Sequence, residues 1–150
     1  MDEQERHLRL DAFATHCRDR GLPLTAQRRV ILDVVLDLDG HPAADDVLRV
    51  VERRLPGVSR ATVYRTLETL ERAGVITRVC HPGRGVRYDR RTDLHHHLVC
   101  LRCGGVRDIS DQRLDRIEIP DTSRLGFEVV EHRVQLRGIC LACREKEEGP

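Results

Sequence analysis

Two Cys-x-x-Cys pairs constrain this chain more than any other feature of its sequence. Cys100 and Cys103 form the first pair, and Cys140 and Cys143 form the second after an interval of 36 residues. Tetrahedral Zn²⁺ takes four thiolates, and each pair can supply two of them from one tight turn. We therefore expect a structural zinc ion that joins the two ends of a small domain. A disulfide switch is the alternative, but a thioredoxin-like motif needs a single pair near a βαβ pattern, which this sequence lacks.

Three adjacent histidines, His95, His96 and His97, precede the first cysteine pair. In an extended chain alternate side chains share a face, so His95 and His97 should point together while His96 points away. Two such imidazoles could clamp a metal ion. The alternative is a solvated run without function, or a tag, but their position inside the chain beside a hydrophobic strand argues against a tag.

Composition describes a globular chain of one domain or two small ones, because 39% of its 150 residues are hydrophobic and 34% are charged. No segment approaches membrane-spanning length, and the acidic N-terminus lacks the apolar region of a signal peptide. We therefore expect a cytoplasmic protein without membrane contact. Its cysteines would then meet a reducing environment, which favours metal binding over disulfides.

Charge is concentrated in one segment although the net charge is only +1. Residues 53–94 carry ten arginines against four acidic residues, whereas residues 95–150 carry nine basic and ten acidic residues. A basic segment of this kind is typical of nucleic-acid binding, and a solvated charged face is the alternative. With two Phe, two Tyr and no Trp, platforms that stack RNA bases are not expected.

Four helices are predicted in the first half of the chain. The first covers about residues 5–20, with Leu8, Ala12, Phe13 and Cys17 as its buried face. The second follows the capping residue Thr25 and ends near residues 39–40. The third begins with Pro42 at its first helical position and ends at residues 56–57. The fourth covers residues 60–73, with Ser59 as its cap.

The third and fourth helices form a predicted helix-turn-helix, whose second helix can enter a DNA major groove. An ordinary helical hairpin is the alternative. The face of the fourth helix that we expect to be exposed consists of Arg60, Thr62, Tyr64, Arg65, Thr66 and Thr69. A basic β-hairpin follows, with strands at residues 75–79 and 86–89 and a turn at residues 81–85. Helices followed by such a hairpin indicate a winged helix.

The predicted organisation is α+β: a winged helix-turn-helix domain at residues 1–89, a hinge at 90–94, and a small zinc-stapled dimerisation domain at 95–150. In the last domain we expect strands at 98–101 and 106–109, a short helix near 111–119, and a long strand over 127–138. A domain this small lacks enough core to be stable alone, so its strands should pair between the subunits of a homodimer.

Together these features resemble the ferric-uptake-regulator family of bacterial metal-dependent repressors, over roughly residues 10–144. The resemblance rests on five motifs in order: Thr25-Ala-Gln-Arg-Arg, His41-Pro-Ala-Ala-Asp-Asp, Ser59-Arg-Ala-Thr-Val-Tyr-Arg-Thr-Leu, His95-His-His-Leu-Val-Cys-Leu-Arg-Cys-Gly and Gly138-Ile-Cys-Leu-Ala-Cys. Five ordered motifs are far more specific than any one of them.

The resemblance implies a regulatory metal site made of His41, Asp89, His95, His97 and Asp108. Imidazoles and carboxylates without a thiolate suit Fe²⁺ or Mn²⁺ more than tetrahedral Zn²⁺. A metal bound to all five residues would set the angle between the domains through the hinge, which is an allosteric switch. A second such site in the family would fall on Leu94, His96, Asp115 and His132, but Leu94 cannot bind a metal, so we expect weak occupancy.

The implied function is repression of transcription by a homodimer bound to palindromic double-stranded DNA. Peroxide or iron would be sensed at the Fe²⁺ or Mn²⁺ site, because Asp89 and Asp108 look like the peroxide-sensing branch. Iron-uptake and zinc-uptake regulators of the same family are alternatives. A zinc-ribbon interaction module and a zinc hydrolase or deaminase are alternatives of other classes, although deaminase motifs are absent. The expected DNA contacts are Arg28, Ser59, Arg60, Thr62, Tyr64 and Arg65.

Overall fold

The computed structural model describes residues 2–81 and 85–148 and divides into two compact units, Met1–Thr92 and Asp93–Pro150. The elements of the first unit are α1 (Glu3–Asp19), α2 (Ala26–Asp37), α3 (Ala44–Arg54), α4 (Arg60–Arg72), β1 (Thr77–His81) and β2 (Gly85–Asp89). The elements of the second unit are β3 (His96–Cys100), β4 (Val106–Ile109), α5 (Gln112–Asp115), β5 (Gln135–Gly138) and α6 (Leu141–Glu148), with a 3-10 turn at Ser123–Leu125.

Side-chain caps begin three of the four long helices where the sequence places a capping residue. Asp2 accepts a hydrogen bond from the amide of Glu5, Thr25 from that of Arg28, and Ser59 from that of Thr62. These contacts satisfy backbone donors that have no partner within the helix. The predicted second and fourth helices are thereby confirmed to within one or two residues.

The core of the first unit lies where α1 to α4 meet. The buried side chains include Phe13, Ile31, Leu67 and Leu70, each at most 1% exposed. Leu8, however, is 62% exposed, and Ala12 is exposed as well, so the predicted buried face of α1 is partly wrong. The face that packs instead carries Phe13 and Cys17, while Leu8 and Ala12 lie off that stripe.

The third helix begins later than predicted. Ala43 is its N-cap, and Pro42 lies before the helix, where its carbonyl accepts a hydrogen bond of 2.9 Å from the amide of Tyr88. Ala43 also forms an isolated antiparallel bridge with Arg87 of β2. Residues 41–43 are thus held in an extended conformation by the wing strand, which overrides the preference of proline for the first helical turn.

The wing consists of β1 and β2, which pair antiparallel from Thr77 opposite Asp89 to His81 opposite Gly85. The predicted hairpin is confirmed, although residues 82–84 of its turn lie outside the described residues. Residues 75–76, expected in the strand, precede it and are buried. Gly74, with a φ of 68°, ends α4, and the amide of Val75 donates back to the carbonyl of Leu70.

The second unit contains a three-stranded sheet in the order β4-β3-β5. The strand β3 pairs antiparallel with β4, where His97 lies opposite Asp108, and parallel with β5, where His97 lies opposite Gln135. The long strand predicted over residues 127–138 is wrong, because only Gln135–Gly138 forms a strand within the chain. The preceding residues find no strand partner among the described residues of the chain, and Phe127 is 72% exposed.

Candidate functional site

The four predicted zinc cysteines lie together in the second unit. Their sulfur atoms are all within 4.8 Å of one another, and Sγ of Cys103 is 3.8 Å from Sγ of Cys140. Four sulfurs around a tetrahedral Zn²⁺, with bonds of about 2.3 Å, would be about 3.8 Å apart. None of the six cysteines, all of which are described, forms a disulfide. The donor set and its spacing therefore fit zinc.

Backbone amides support these sulfurs. The amide of Cys140 donates to Sγ of Cys100, and that of Gly105 to Sγ of Cys103, each over 3.4 Å. A Cβ atom at Gly105 would lie 3.3 Å from Sγ of Cys103, so glycine permits this close approach. The turn that contains Cys103 therefore holds the Cys103 sulfur close to the second cysteine pair.

The pKa values of Cys100 and Cys143 are shifted in opposite directions. Hydrogen bonds from backbone amides, first that of Cys140, lower the pKa of Cys100 to about 5. In contrast, the side-chain contact with Cys140 raises the pKa of Cys143 to about 12. A second thiolate beside the first is disfavoured by like charge, and a bound divalent cation reverses that preference.

In the first unit, His41 and Asp89 lie side by side. Nε2 of His41 is 3.4 Å from Oδ2 of Asp89, and the two side chains are 4% and 2% exposed. Pairing of residues 42–43 with β2 brings them together, and Arg87 adds a hydrogen bond of 3.0 Å to the carbonyl of His41. Oδ1 of Asp89 accepts from the amide of Arg91 at 2.8 Å, which fixes the carboxylate with Oδ2 toward His41.

In the second unit, His95, His97 and Asp108 converge. Nε2 of His95 is 3.1 Å from Nε2 of His97, and Oδ1 of Asp108 lies 3.8 and 3.9 Å from the two nitrogens. Nδ1 of His95 is 2.8 Å from the carbonyl of Asp93, so Nδ1 carries the proton and Nε2 presents a lone pair. Nitrogens about 3 Å apart fit neighbouring positions around one metal with bonds of about 2.1 Å.

His96 points away from His97, as alternation along the strand predicts, but it too is buried. Nδ1 of His96 accepts from the amide of Val134 at 3.0 Å, and Nε2 lies 3.0 Å from Oδ1 of Asp115. The ring of His132 stacks at 6.0 Å, and its Nε2 is 2.9 Å from the carbonyl of Leu114. The three residues named for the weak site are therefore neighbours, with both ring nitrogens of His96 engaged in hydrogen bonds. Leu94 is 47% exposed.

The face of α4 presents charge and hydroxyl groups. Arg65 is exposed, and its guanidinium has no hydrogen-bond or ion-pair partner among residues 2–81 and 85–148. The Arg60 guanidinium contacts the Tyr64 hydroxyl and the Asp45 carboxylate. The hydrogen bond with Tyr64, followed by the negative charge of Asp45, raises the pKa of Arg60. Thr66, expected on this face, is only 2% exposed, and its hydroxyl donates to the carbonyl of Thr62. That part of the prediction is wrong, because a hydroxyl that bonds back along its helix can be buried.

Two further expected DNA contacts have local partners. Nη1 of Arg28 donates to the carbonyl of Pro23 at 2.7 Å, which leaves the rest of its guanidinium for other partners. The hydroxyl of Ser59 caps α4 and lies 2.8 Å from that of Thr62. Sequence reasoning missed Asp45 as a neighbour of Tyr64, because contacts between helices are not encoded in the spacing within one helix.

The ferric uptake regulator family model matches residues 19–137 of the chain. The chain belongs to this family. Its relatives include the peroxide operon regulator of Bacillus subtilis (strain 168), with 32% identity over 130 residues, 87% of this chain and 90% of the relative. Members of the ferric uptake regulator family regulate transcription, so the hydrolase or deaminase alternative is not favoured.

Solved structures of the family confirm the fold. The Helicobacter pylori ferric uptake regulator has a TM-score of 0.78 at 20% identity and covers 93% of each chain. The Campylobacter jejuni peroxide stress regulator has a TM-score of 0.65 at 27% identity, over 89% of this chain and 98% of its own. The predicted α+β class with a winged helix is therefore confirmed. None of the described helices has the length and apolar character needed to cross a membrane.

Proposed function

We propose that this chain is a homodimeric repressor that binds palindromic operator DNA and responds to peroxide. The Cys100, Cys103, Cys140 and Cys143 sulfurs hold a structural Zn²⁺. His41 and Asp89 of the first unit, with His95, His97 and Asp108 of the second, hold one regulatory Fe²⁺ or Mn²⁺. The peroxide operon regulator of B. subtilis, at 32% identity, supports the peroxide branch.

The observation that carries the proposal is the convergence of His95 and His97. Their Nε2 atoms lie 3.1 Å apart although both rings are buried, and the carbonyl of Asp93 fixes the His95 tautomer so that its lone pair points inward. A second ring nitrogen 3.1 Å from that lone pair requires either a proton on Nε2 of His97 or a cation bound to both nitrogens. Asp108 adds negative charge beside them, which favours a divalent cation.

A metal held by these residues would link DNA binding to redox state. Its ligands are nitrogen and oxygen atoms, which leave Fe²⁺ reducing, so bound iron would promote cleavage of the O–O bond of hydrogen peroxide beside His41 and His95. One peroxide oxygen would be added to a ring carbon and the other would leave as water, so that peroxide itself supplies both oxidising equivalents. Gain of an oxygen atom by either imidazole weakens its metal bond. The link between the two halves of the site is then lost, the hinge at residues 90–94 is released, and DNA affinity falls.

The regulator is tested by measuring the DNA affinity of the zinc protein with and without Mn²⁺ or Fe²⁺. Metal should strengthen binding to a duplex selected by the protein from a randomised pool, and peroxide should abolish binding of the iron form alone. His97→Ala should remove the metal effect, whereas His7→Ala, which alters an exposed histidine of α1, should not.

Equal DNA binding with and without metal would contradict the regulatory site, and absence of DNA binding would favour a zinc-ribbon interaction module. Metal-dependent binding that survives peroxide in the iron form would favour an iron-uptake regulator. A response to Zn²⁺ alone would favour a zinc-uptake regulator.

A further inference from the structure

Asp45, in the first turn of α3, binds two side chains on the exposed face of α4. Its Oδ1 atom accepts from the hydroxyl of Tyr64 at 2.9 Å and from Nη2 of Arg60 at 2.6 Å. The same Nη2 lies 3.1 Å from the Tyr64 hydroxyl, and the guanidinium carbon lies 5.3 Å from the centre of the ring. One carboxylate oxygen therefore holds both residues that we propose to face DNA.

This contact affects Tyr64 and Arg60 differently. The ring of Tyr64 already packs against the buried core, so the bond to Asp45 fixes the one part left to rotate, its hydroxyl. The side chain of Arg60 is 63% exposed, and its charge is paired with Asp45. A DNA phosphate must compete with that carboxylate for Arg60, and the negative charge of Asp45 opposes phosphates that approach nearby.

We infer that Asp45 is a positioning residue that determines sequence specificity. It holds the Tyr64 hydroxyl proton on its own carboxylate, which leaves an oxygen lone pair of that hydroxyl to accept from base edges. It also withholds Arg60 from the phosphates of DNA without the operator sequence. This inference rests on the proposed function, because it requires α4 to face DNA. Specificity of this kind comes from weakening the wrong complex as well as strengthening the right one.

The test compares two duplexes: one selected by the manganese-loaded wild type from a randomised pool, and a scrambled duplex of the same composition. Asp45→Asn should bind the scrambled duplex about two- to five-fold more tightly, which is the range expected from one exposed ion pair. Its salt dependence should steepen by about one, because Arg60 gains a phosphate. The ratio of specific to scrambled affinity should fall.

Glu52→Gln provides the matched control. Glu52 lies on the same helix about two turns further along, is exposed, and has no hydrogen bond or ion pair among the described residues. Its replacement removes the same charge without touching Tyr64 or Arg60, so both duplexes should gain affinity equally. Unchanged zinc content and circular dichroism in both variants exclude a folding defect.

A double-mutant cycle tests orientation separately. In a Tyr64→Phe background no hydroxyl remains to be oriented. Asp45→Asn should therefore change the ratio of specific to scrambled affinity by less than half as much in this background as in the wild type. If Asp45→Asn and Tyr64→Phe changed the ratio of specific to scrambled affinity independently, so that their effects multiplied, the inference would be overturned. A ratio in Asp45→Asn equal to that in Glu52→Gln would also overturn it. Either result would leave the proposed function intact. Failure of the wild type to select any duplex would overturn the proposed function, and the inference with it.

Discussion

Replacing Cys140 with Ser should release zinc and unfold the second unit while the first remains folded. Among residues 93–148, the only buried apolar side chains are Val99 and Cys100. Full burial of one such side chain stabilises a fold by about 1.5–3 kcal/mol. A structural Zn²⁺ contributes about 10–16 kcal/mol in small zinc domains, so the metal outweighs the core of this unit.

The first unit has its own core, so its helices should survive. Its four helices have 17, 12, 11 and 13 residues, whereas those of the second unit have 4 and 8. The Cys140→Ser variant should thus keep about four-fifths of the helical circular dichroism, because compact units unfold separately. Zinc content and dimerisation should both be lost in metal analysis and size-exclusion chromatography. Cys80→Ser is the control, because Cys80 is exposed on β1, outside the thiol cluster.

Thiol titration of the zinc-free wild type provides an independent check. If the second unit stayed folded, Cys100 would ionise with a pKa of about 5, since the amide of Cys140 favours its thiolate. In an unfolded unit that pKa returns to about 8.5. A thiolate signal that appears only at alkaline pH would therefore support unfolding. A Cys140→Ser variant that remains dimeric with one zinc per subunit would refute the reasoning.

Three further outcomes are expected. Arg65→Ala should relax sequence preference by about 1–3 kcal/mol at one base pair, and equal loss on specific and random duplexes would count against base reading. Peroxide should add the mass of one oxygen atom to His41 or His95 in the iron form only, and metal-independent oxidation of the zinc thiols, seen by mass spectrometry, would contradict this. Burial raises the pKa of Asp37, but hydrogen bonds, first that from Arg6, produce a net lowering. Its stabilising contribution is therefore present above the unfolded pKa and lost as pH falls through the lower folded pKa. Asp37→Asn should lower Tm near neutral pH, and the difference from the wild type should shrink as pH falls below about 3.9.

Local signals predicted the helices well, because a helix is capped and terminated by residues close to it in sequence. Thr25 and Ser59 cap the predicted helices through their own hydroxyls. The four thiols were also predictable, since Cys-x-x-Cys spacing restricts their geometry before any fold exists.

Predictions failed where the partner lies far away in sequence. The apolar alternation over residues 127–138 is that of a strand, but most of that stretch has no pairing partner among the described residues of the chain. The residue spacing within the sequence predicted neither the parallel pairing of β5 with β3 nor the helix α6. The contacts of Asp45 were not predicted either, because its partners lie 15 and 19 residues away.

The late start of α3 shows why one such failure coincides with the candidate site. Proline at residue 42 predicts a helix by local rules, yet its carbonyl accepts the amide of Tyr88, and that pairing keeps residues 41–43 extended. The same pairing brings His41 to within 3.4 Å of Asp89, next to Tyr88 in the wing strand. If residue 42 instead began the helix, that pairing would be lost and with it the contact between His41 and Asp89. A local preference is therefore overridden where a distant contact assembles two proposed metal ligands, as expected when function competes with the most regular fold.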